Sequence, residues 1–314
     1  MLPDFIIGGA MKSGTSTLHQ ILDTHPEIFI PKSEIHFFDI DNILQHSDFN
    51  FYDVDKDFWS TQSMKNSPNK LWNWYGSKFA GKGQLIKGED STTYLASKVA
   101  AKRISLQEKP IKLIFTLRQP TLRAYSNYWH LLRTGRAMFT FENTIRYNPF
   151  SILNRSLYKE QLVHYYTFLP RESIKVVLFE DLVINPRSVI TEISEFIGID
   201  INAFPKDVFE LHSNKGTFPQ NIDLQIKKNK LMRSFGNIRY VNSLPVKPNL
   251  PVKDHSLSTR VINKISRKIN PMRKTDLPKI NKGTKQFLDE YFYKELKGID
   301  ELVDKDILSR WFNF

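Results

Sequence analysis

Phe5-Ile6-Ile7-Gly8-Gly9-Ala10-Met11-Lys12-Ser13-Gly14-Thr15-Ser16-Thr17 runs a short apolar segment into a loop of small residues and then into an apolar-periodic stretch. That order reads as strand, phosphate loop and helix. Small residues at Gly8, Gly9, Ser13 and Gly14 let the backbone turn tightly, so that successive amides can point at one anion on the helix amino terminus. The common nucleotide-triphosphate loop places its lysine after the last glycine. Here Lys12 precedes Gly14, which points to a different phosphate-bearing ligand.

Outward from this loop the chain alternates strand-like and helix-like runs. Strands are expected at 5–8, 85–87, 111–117 and 174–179, each followed by a polar turn and then helical spacing. Helices are expected at 15–24, 95–106, 120–132, 157–167, 186–197 and 282–296. Pro120 and Pro186 sit where first turns begin, and Pro26, Pro110, Pro170 and Gly198 where helices stop. Alternation of this kind predicts an α/β fold: a central parallel sheet flanked by helices on both faces, with a P-loop-like turn after the first strand. Neither a repeat nor a low-complexity linker divides residues 1–314, so one domain is expected.

Composition narrows the chemistry. With 314 residues, 40% apolar and 13% aromatic, the chain can bury a large core. Zero cysteines exclude disulfides, cysteine–zinc sites and thiol catalysis. No run approaches the about 18 unbroken apolar residues of a membrane span, and the amino terminus carries no basic-then-apolar leader pattern. A cytoplasmic, soluble protein is therefore expected. The net charge of +12 is concentrated: residues 222–282 hold fifteen Lys or Arg against Asp223, Asp254 and Asp276, and five prolines cut the segment into short pieces. It reads either as substrate-side loops and short helices facing an anionic partner or as a solvated basic surface.

Lys12-Ser13-Gly14-Thr15-Ser16-Thr17, the His25-Pro26-Glu27-Ile28 turn and Ser33-Glu34-Ile35-His36-Phe37-Phe38-Asp39 are followed, in order, by Leu117-Arg118-Gln119-Pro120 through Arg123 to Ser126. Leu153-Asn154-Arg155-Ser156-Leu157-Tyr158, Phe179-Glu180-Asp181-Leu182 and a run from Leu302 to Trp311 come next. Together these resemble the sulfotransferases that use 3′-phosphoadenosine 5′-phosphosulfate (PAPS), in particular the heparan sulfate and related bacterial branch. The resemblance implies transfer of a sulfuryl group to an acceptor hydroxyl of a glycan, glycolipid or small metabolite, with adenosine 3′,5′-bisphosphate (PAP) as product. It also implies a bacterial-type carbohydrate sulfation enzyme without a metal.

The same resemblance assigns Lys12 to the 5′-phosphate side of the donor and its bridging oxygen, and the loop amides with the hydroxyls of Ser13, Thr15, Ser16 and Thr17 to the phosphate. Glu34 matches the catalytic glutamate of the heparan-type enzymes. From chemistry alone, an acceptor hydroxyl needs a general base, and in an extended segment the i, i+2 spacing of Glu34 and His36 puts both on one face. His36 reads equally as a helper to Glu34 or as a packed ring; Asp39 would orient the pair or bind acceptor. Arg118, at a strand end, and Ser126, in the following helix, suit the 3′-phosphate that distinguishes this donor from ATP. Arg123 is left as a helix-surface residue or secondary contact. Lys215 and Gly216 occupy the place of a loop that closes over the nucleotide in the family, and read equally as a solvent-facing turn.

Two departures concern the acceptor. Asp90 stands where the family's Glu-Lys-Thr-Pro segment carries lysine, which removes a basic contact. Trp72, Trp74, Tyr75, Tyr128 and Trp129 serve either as stacking surfaces for rings or as core. The histidines and carboxylates show no ligand spacing along the chain, so no metal is implied. Two other readings stay open: a kinase-like P-loop phosphotransferase, supported by Glu180-Asp181 after the last predicted strand, and a polyanion-binding module acting through residues 222–282.

Overall fold

In chain order the strands are β1 (Phe5–Gly9), β2 (Ile28–Phe29), β3 (Phe51–Asp53), β4 (Phe58–Ser60), β5 (Ile86–Asp90), β6 (Lys112–Leu117), β7 (Ile174–Leu178), β8 (Thr217–Pro219) and β9 (Met272–Lys274). This computed structural model describes residues 2–53, 55–66, 68–83, 85–210, 217–232, 257–274 and 277–312. Five strands form one sheet in the order β2-β5-β1-β6-β7, every neighbour parallel. Two antiparallel pairs, β3-β4 and β8-β9, lie outside it.

Side-chain alternation explains why both faces are covered. Ile6, Leu113, Phe115, Leu117, Ile174, Val176 and Leu178 pack into one core, while Phe5, Ile7, Ile114 and Val177 pack into a second on the opposite face. A sheet buried on both sides tolerates apolar residues at successive positions, which is why these strands read as continuous apolar runs. Trp72 packs against the first core, and Tyr75, Tyr128 and Trp129 are buried within it. Core packing, not an open stacking surface, is the role of these four rings.

The expected strand at 85–87 runs on to Asp90, because pairing with β1 carries the ladder through Gly88, Glu89 and Asp90. The expected helix over 95–106 shortens to Ala100–Ser105 behind a single 3₁₀ turn at Tyr94–Ala96. Asn42 donates to Ser97 Oγ (3.0 Å) and Gln45 to the Ala96 carbonyl (3.0 Å), fixing that turn from outside. Pro186–Ile197 forms as expected, and the helix starting at Pro120 runs to Arg133.

Arg123 is a correction. It points inward and is wholly buried. Its Nε donates to Ser156 Oγ (2.5 Å) and its Nη2 to the Ile152 carbonyl, while Nη1 meets no acceptor. The residue therefore ties the helix Pro120–Arg133 to the 152–156 turn. Burial, with Arg155 and Arg118 nearby, lowers its pKa to about 10 despite Tyr158.

The carboxy-terminal part closes on the same helix. Asp289, in the helix Lys282–Glu295, accepts from Gln119 Nε2 (2.8 Å) and Thr121 Oγ1 (2.6 Å) and pairs with Lys285. Arg310 pairs with Asp181, and Trp311 Nε1 donates to Glu180 Oε2 (3.3 Å). Within the basic segment, the described residues form helices Ile222–Met232 and Leu257–Ile269 and strand β9. No described helix is long and apolar enough to cross a membrane.

Replacing Asp289 with Ala strands two buried donors, each costing about 1–3 kcal/mol when unpaired. Asp289→Ala is expected to lower unfolding free energy by about 2–4 kcal/mol in urea titrations; an unchanged midpoint would show that the carboxy-terminal helix does not brace the sheet.

Candidate active site

The site grows from the carboxyl ends of β1, β5 and β6, where β1 lies between its two neighbours and the strand order changes direction from β5 to β6. Such divergence opens a crevice that the strand-to-helix loops line. In the loop after β1, the backbone is left-handed at Lys12 (φ 71°) and at Gly14 (φ 85°). At Gly14 that conformation favours glycine, and a Cβ would also lie 2.6 Å from Phe179 Cδ2. The Ser13 amide turns back to the Ala10 carbonyl (3.2 Å), and the amides of Thr17 and Leu18 both bond the Gly14 carbonyl (3.0 Å). Among the described residues, the amides of Gly14, Thr15 and Ser16 meet no acceptor, so they remain available at the start of the helix Thr15–Leu22. Ser13 and Thr15 are buried, Ser16 is exposed and Thr17 is half-buried.

Arg118 leaves the end of β6 and donates Nη1 to the Lys12 carbonyl (3.3 Å), with its guanidinium 4.6 Å from the centre of the Phe179 ring. Two site residues predicted from distant parts of the sequence are thus joined directly. Ser126 lies two turns into the helix Pro120–Arg133, half-buried, on a stripe with His130 and Arg133 at i+4 and i+7. Arg133 and Arg136, with the His130 ring beside them, form the basic wall that sequence reasoning missed. The helical spacing from Ser126 was the signal that could have found His130 and Arg133.

These groups act on one another. Burial, the fields of Arg133 and Arg136 and, more weakly, Arg123 lower the Lys12 pKa to about 8, with Glu34 pulling the other way. His130 Nε2 accepts from Arg136 Nη2 (2.9 Å); burial together with Lys12, Arg136 and Arg133 holds its pKa down to about 3, leaving it neutral at pH 7. Arg155 adds a further cation, fixed by Gln45 and Met11 Sδ.

On the β5 side, Glu34 and His36 meet, Oε2 to Nε2 at 3.1 Å. Their pairing does not come from a regular strand. The segment is irregular, His36 is left-handed (φ 55°), and its amide donates to Ser91 Oγ (2.9 Å). Glu34 Oε2 also accepts from Thr92 Oγ1 (2.9 Å), whereas Oε1 has no partner among the described residues and the side chain stays 35% exposed. Burial would raise the Glu34 pKa, but the hydrogen bond and charge of His36, with Thr92, draw it well below the usual range. His36 moves the opposite way: burial is outweighed by Glu34.

Asp39 does not bind His36 directly. Its Oδ1 takes a hydrogen bond from His46 Nε2 (2.7 Å), and it is wholly buried. The fold therefore gathers His36, Asp39 and His46 into a group with ligand atoms within 4.8 Å of one another, correcting the expectation that no such cluster forms. Spacing along the chain could not reveal it, because the segment folds back on itself between residues 36 and 46. Asp90, at the end of β5, pairs with His19 Nδ1 (3.1 Å). Glu89 is buried and holds hydrogen bonds from Tyr75 (2.6 Å), Tyr94 (2.5 Å) and Ser91 (2.7 Å). Glu180 and Asp181, the support for a kinase-like reading, are engaged by Gln119, Trp311 and Arg310. Lys215 and Gly216 lie outside the described residues.

The model of the sulfotransferase family matches residues 3–203, a span that contains the loop, Glu34, Arg118 and Ser126. The chain is 28% identical over 210 residues to human heparan sulfate glucosamine 3-O-sulfotransferase 5, covering 63% of this chain and 54% of that protein. It is 26% identical over 220 residues to the bifunctional heparan sulfate N-deacetylase/N-sulfotransferase of Drosophila melanogaster, covering 63% and 20%. The matched region thus spans about half or less of these relatives. In fold, the chain is similar over 99% of both lengths to a sulfotransferase from Alicyclobacillus acidocaldarius, with a TM-score of 0.63 at 21% identity. With the family's pattern matched across more than half its length, this chain belongs to the sulfotransferase family.

Proposed function

We propose that the protein transfers the sulfuryl group of PAPS to an acceptor hydroxyl, by in-line displacement between Lys12 and Glu34. The observation that carries this reading is the amide cradle whose left-handed lysine is bonded through its own carbonyl to Arg118. One cation then serves each end of a bisphosphorylated nucleotide. The amides of Gly14, Thr15 and Ser16, with the hydroxyls of Ser13, Thr15, Ser16 and Thr17, hold the 5′-phosphate; Arg118 and Ser126 hold the 3′-phosphate.

Glu34 Oε1 takes the acceptor proton as the acceptor oxygen forms its bond to sulfur. The bond from sulfur to the bridging oxygen breaks, and that electron pair passes to the 5′-phosphate of the leaving PAP. Lys12, half-buried beside Arg133 and Arg136, stabilises this developing charge. His36 keeps Glu34 ionised and oriented. The acceptor is a glycan, glycolipid or small metabolite hydroxyl. An anionic glycan is favoured by Arg133 and Arg136 beside Lys12, by the charge of residues 222–282 and by the heparan sulfate relatives.

Lys12→Met is expected to lower kcat by about 10²–10³, and Glu34→Gln by about 10²–10⁴ with PAP affinity retained. Turnover near the unmodified level in both would overturn the assignment. Arg118→Ala is expected to weaken PAP by about 2 kcal/mol, roughly 30-fold, while adenosine 5′-monophosphate, lacking the 3′-phosphate, changes little. Equal loss for both nucleotides would place the 3′-phosphate elsewhere.

Lys12 also sets a pH dependence. In the free protein its pKa is about 8, against an ordinary 10.5; a bound dianionic phosphate raises it again. Binding therefore takes up a proton once the free lysine is neutral. PAP affinity should be flat between about pH 7 and 7.5, where the phosphates are dianionic and Lys12 is charged, and fall by up to about tenfold per unit above about pH 8. In Lys12→Arg, whose side chain stays charged, calorimetry should find that slope gone.

A further inference from the structure

Of His36, Asp39 and His46, only His36 touches Glu34 and enters the proposed sulfuryl transfer. Asp39 is wholly buried, yet its Oδ2 meets no hydrogen-bond donor. Half of a buried carboxylate is thus left without a partner, which is costly unless a cation or donor fills the position. Arg155 lends its charge from nearby but no hydrogen bond: its three guanidinium nitrogens are directed at Gln45 or Met11.

The two imidazoles approach that carboxylate from either side of Thr93. His36 Nδ1 lies 3.1 Å from Thr93 Oγ1, and His46 Nε2 lies 3.4 Å from the same oxygen and 2.7 Å from Asp39 Oδ1. The rings stand 4.8 Å apart at 58°, and Phe49 stacks on His46 at 4.8 Å and 7°, fixing its plane. One ligand atom from each of His36, Asp39 and His46 falls within 4.8 Å of the others. Tetrahedral zinc with bonds of about 2.0–2.2 Å needs its ligand atoms about 3.3–3.5 Å apart, so a small inward movement suffices.

The outer contacts match as well. A metal-bound histidine characteristically donates its other ring N–H to a carboxylate, which fixes the tautomer. His36 Nε2 makes that contact with Glu34 Oε2. Histidine and carboxylate oxygen are the ligand types of zinc sites with three protein ligands, in which water takes the fourth position. His36, with 18% of its side chain exposed, gives the group its opening to the crevice.

We propose that His36 Nδ1, Asp39 and His46 Nε2 form a zinc-binding site behind the Glu34 carboxylate, with the bound ion holding the His36 ring in the orientation that contacts Glu34. His36 and His46 release their present contacts to Thr93 and Asp39 Oδ1 as the ion enters, and Asp39 offers an oxygen to the metal.

The test is metal titration of the full chain, stripped with chelator and without nucleotide, so that its outcome is independent of donor binding or turnover. Zinc chloride alone should bind with one equivalent by calorimetry and raise the melting temperature. Cobalt(II) should develop the visible absorption of a tetrahedral site. Asp39→Asn and His46→Gln should each weaken zinc by about 10–100-fold, an effect comparable to or above that of outer-contact changes. Glu34→Gln, which alters the outer contact and no ligand, should retain the equivalent with a smaller loss. Absence of a saturable equivalent in the unmodified protein would overturn the site, as would undiminished binding in both His46→Gln and Asp39→Asn. Circular dichroism of each variant separates loss of ligands from loss of fold; should either variant unfold, anomalous scattering from zinc-soaked crystals of the unmodified protein decides, and density elsewhere than between these three residues overturns the proposal.

Discussion

A parallel sheet covered on both faces has little room for polar chemistry except at its ends. In this chain that constraint governs nearly every charged contact of interest. β1 and β6 are mostly apolar along their lengths, β5 carries Lys87, Glu89 and Asp90, and all three run into polar loops as they stop: Gly9 into Lys12, Asp90 into Thr92 and Thr93, Leu117 into Arg118. Because the three strands are neighbours, those endings converge without any long-range fitting of side chains. The bond from Arg118 to the Lys12 carbonyl is the shortest expression of this. It depends on the register of β1 against β6, which shifts between Ile7 and Gly9 where the loop begins.

What could be read from the sequence follows the same division. The loop was legible because its glycines, hydroxyls and lysine act within one turn of chain, and Arg118 because its place at a strand end is itself a local pattern. Glu34 and His36 were legible as a pair, but for a different geometric reason from the one expected: a left-handed residue, rather than strand alternation, brings them together. Arg123 was misread because arginine is mostly found at surfaces; its burial is decided by Ser156 and Ile152, about thirty residues later. The meeting of Asp39 with His46, and of Arg155 with Gln45, is set by how loops fold over β5. Nothing in the spacing of those residues announces it.

The residues beyond 203 lie outside the family's matched span, yet they are not a separate body. Asp289 bonds the first turn of the helix that carries Ser126, and Trp311 and Arg310 reach the acidic pair at the end of β7. Glu180 in turn accepts the Gln119 amide (2.9 Å), immediately after Arg118. The carboxy-terminal segment thus bears on the crevice through Gln119 and Glu180, the neighbours of Arg118.

The basic wall around Lys12 has a further meaning for the cycle as a whole. Lys12, Arg133, Arg136 and Arg155 stand together with Glu34 and, beside Arg155, Asp39 as nearby counter-charges, so the protein holds like charges in proximity before any anion arrives. Part of the stability of the fold is given up to maintain that arrangement. The crevice thus holds an electrostatic strain that an anion placed among these cations would relieve. On the proposed reaction, a pocket built this way would favour capture of an anionic donor and slow departure of an anionic product.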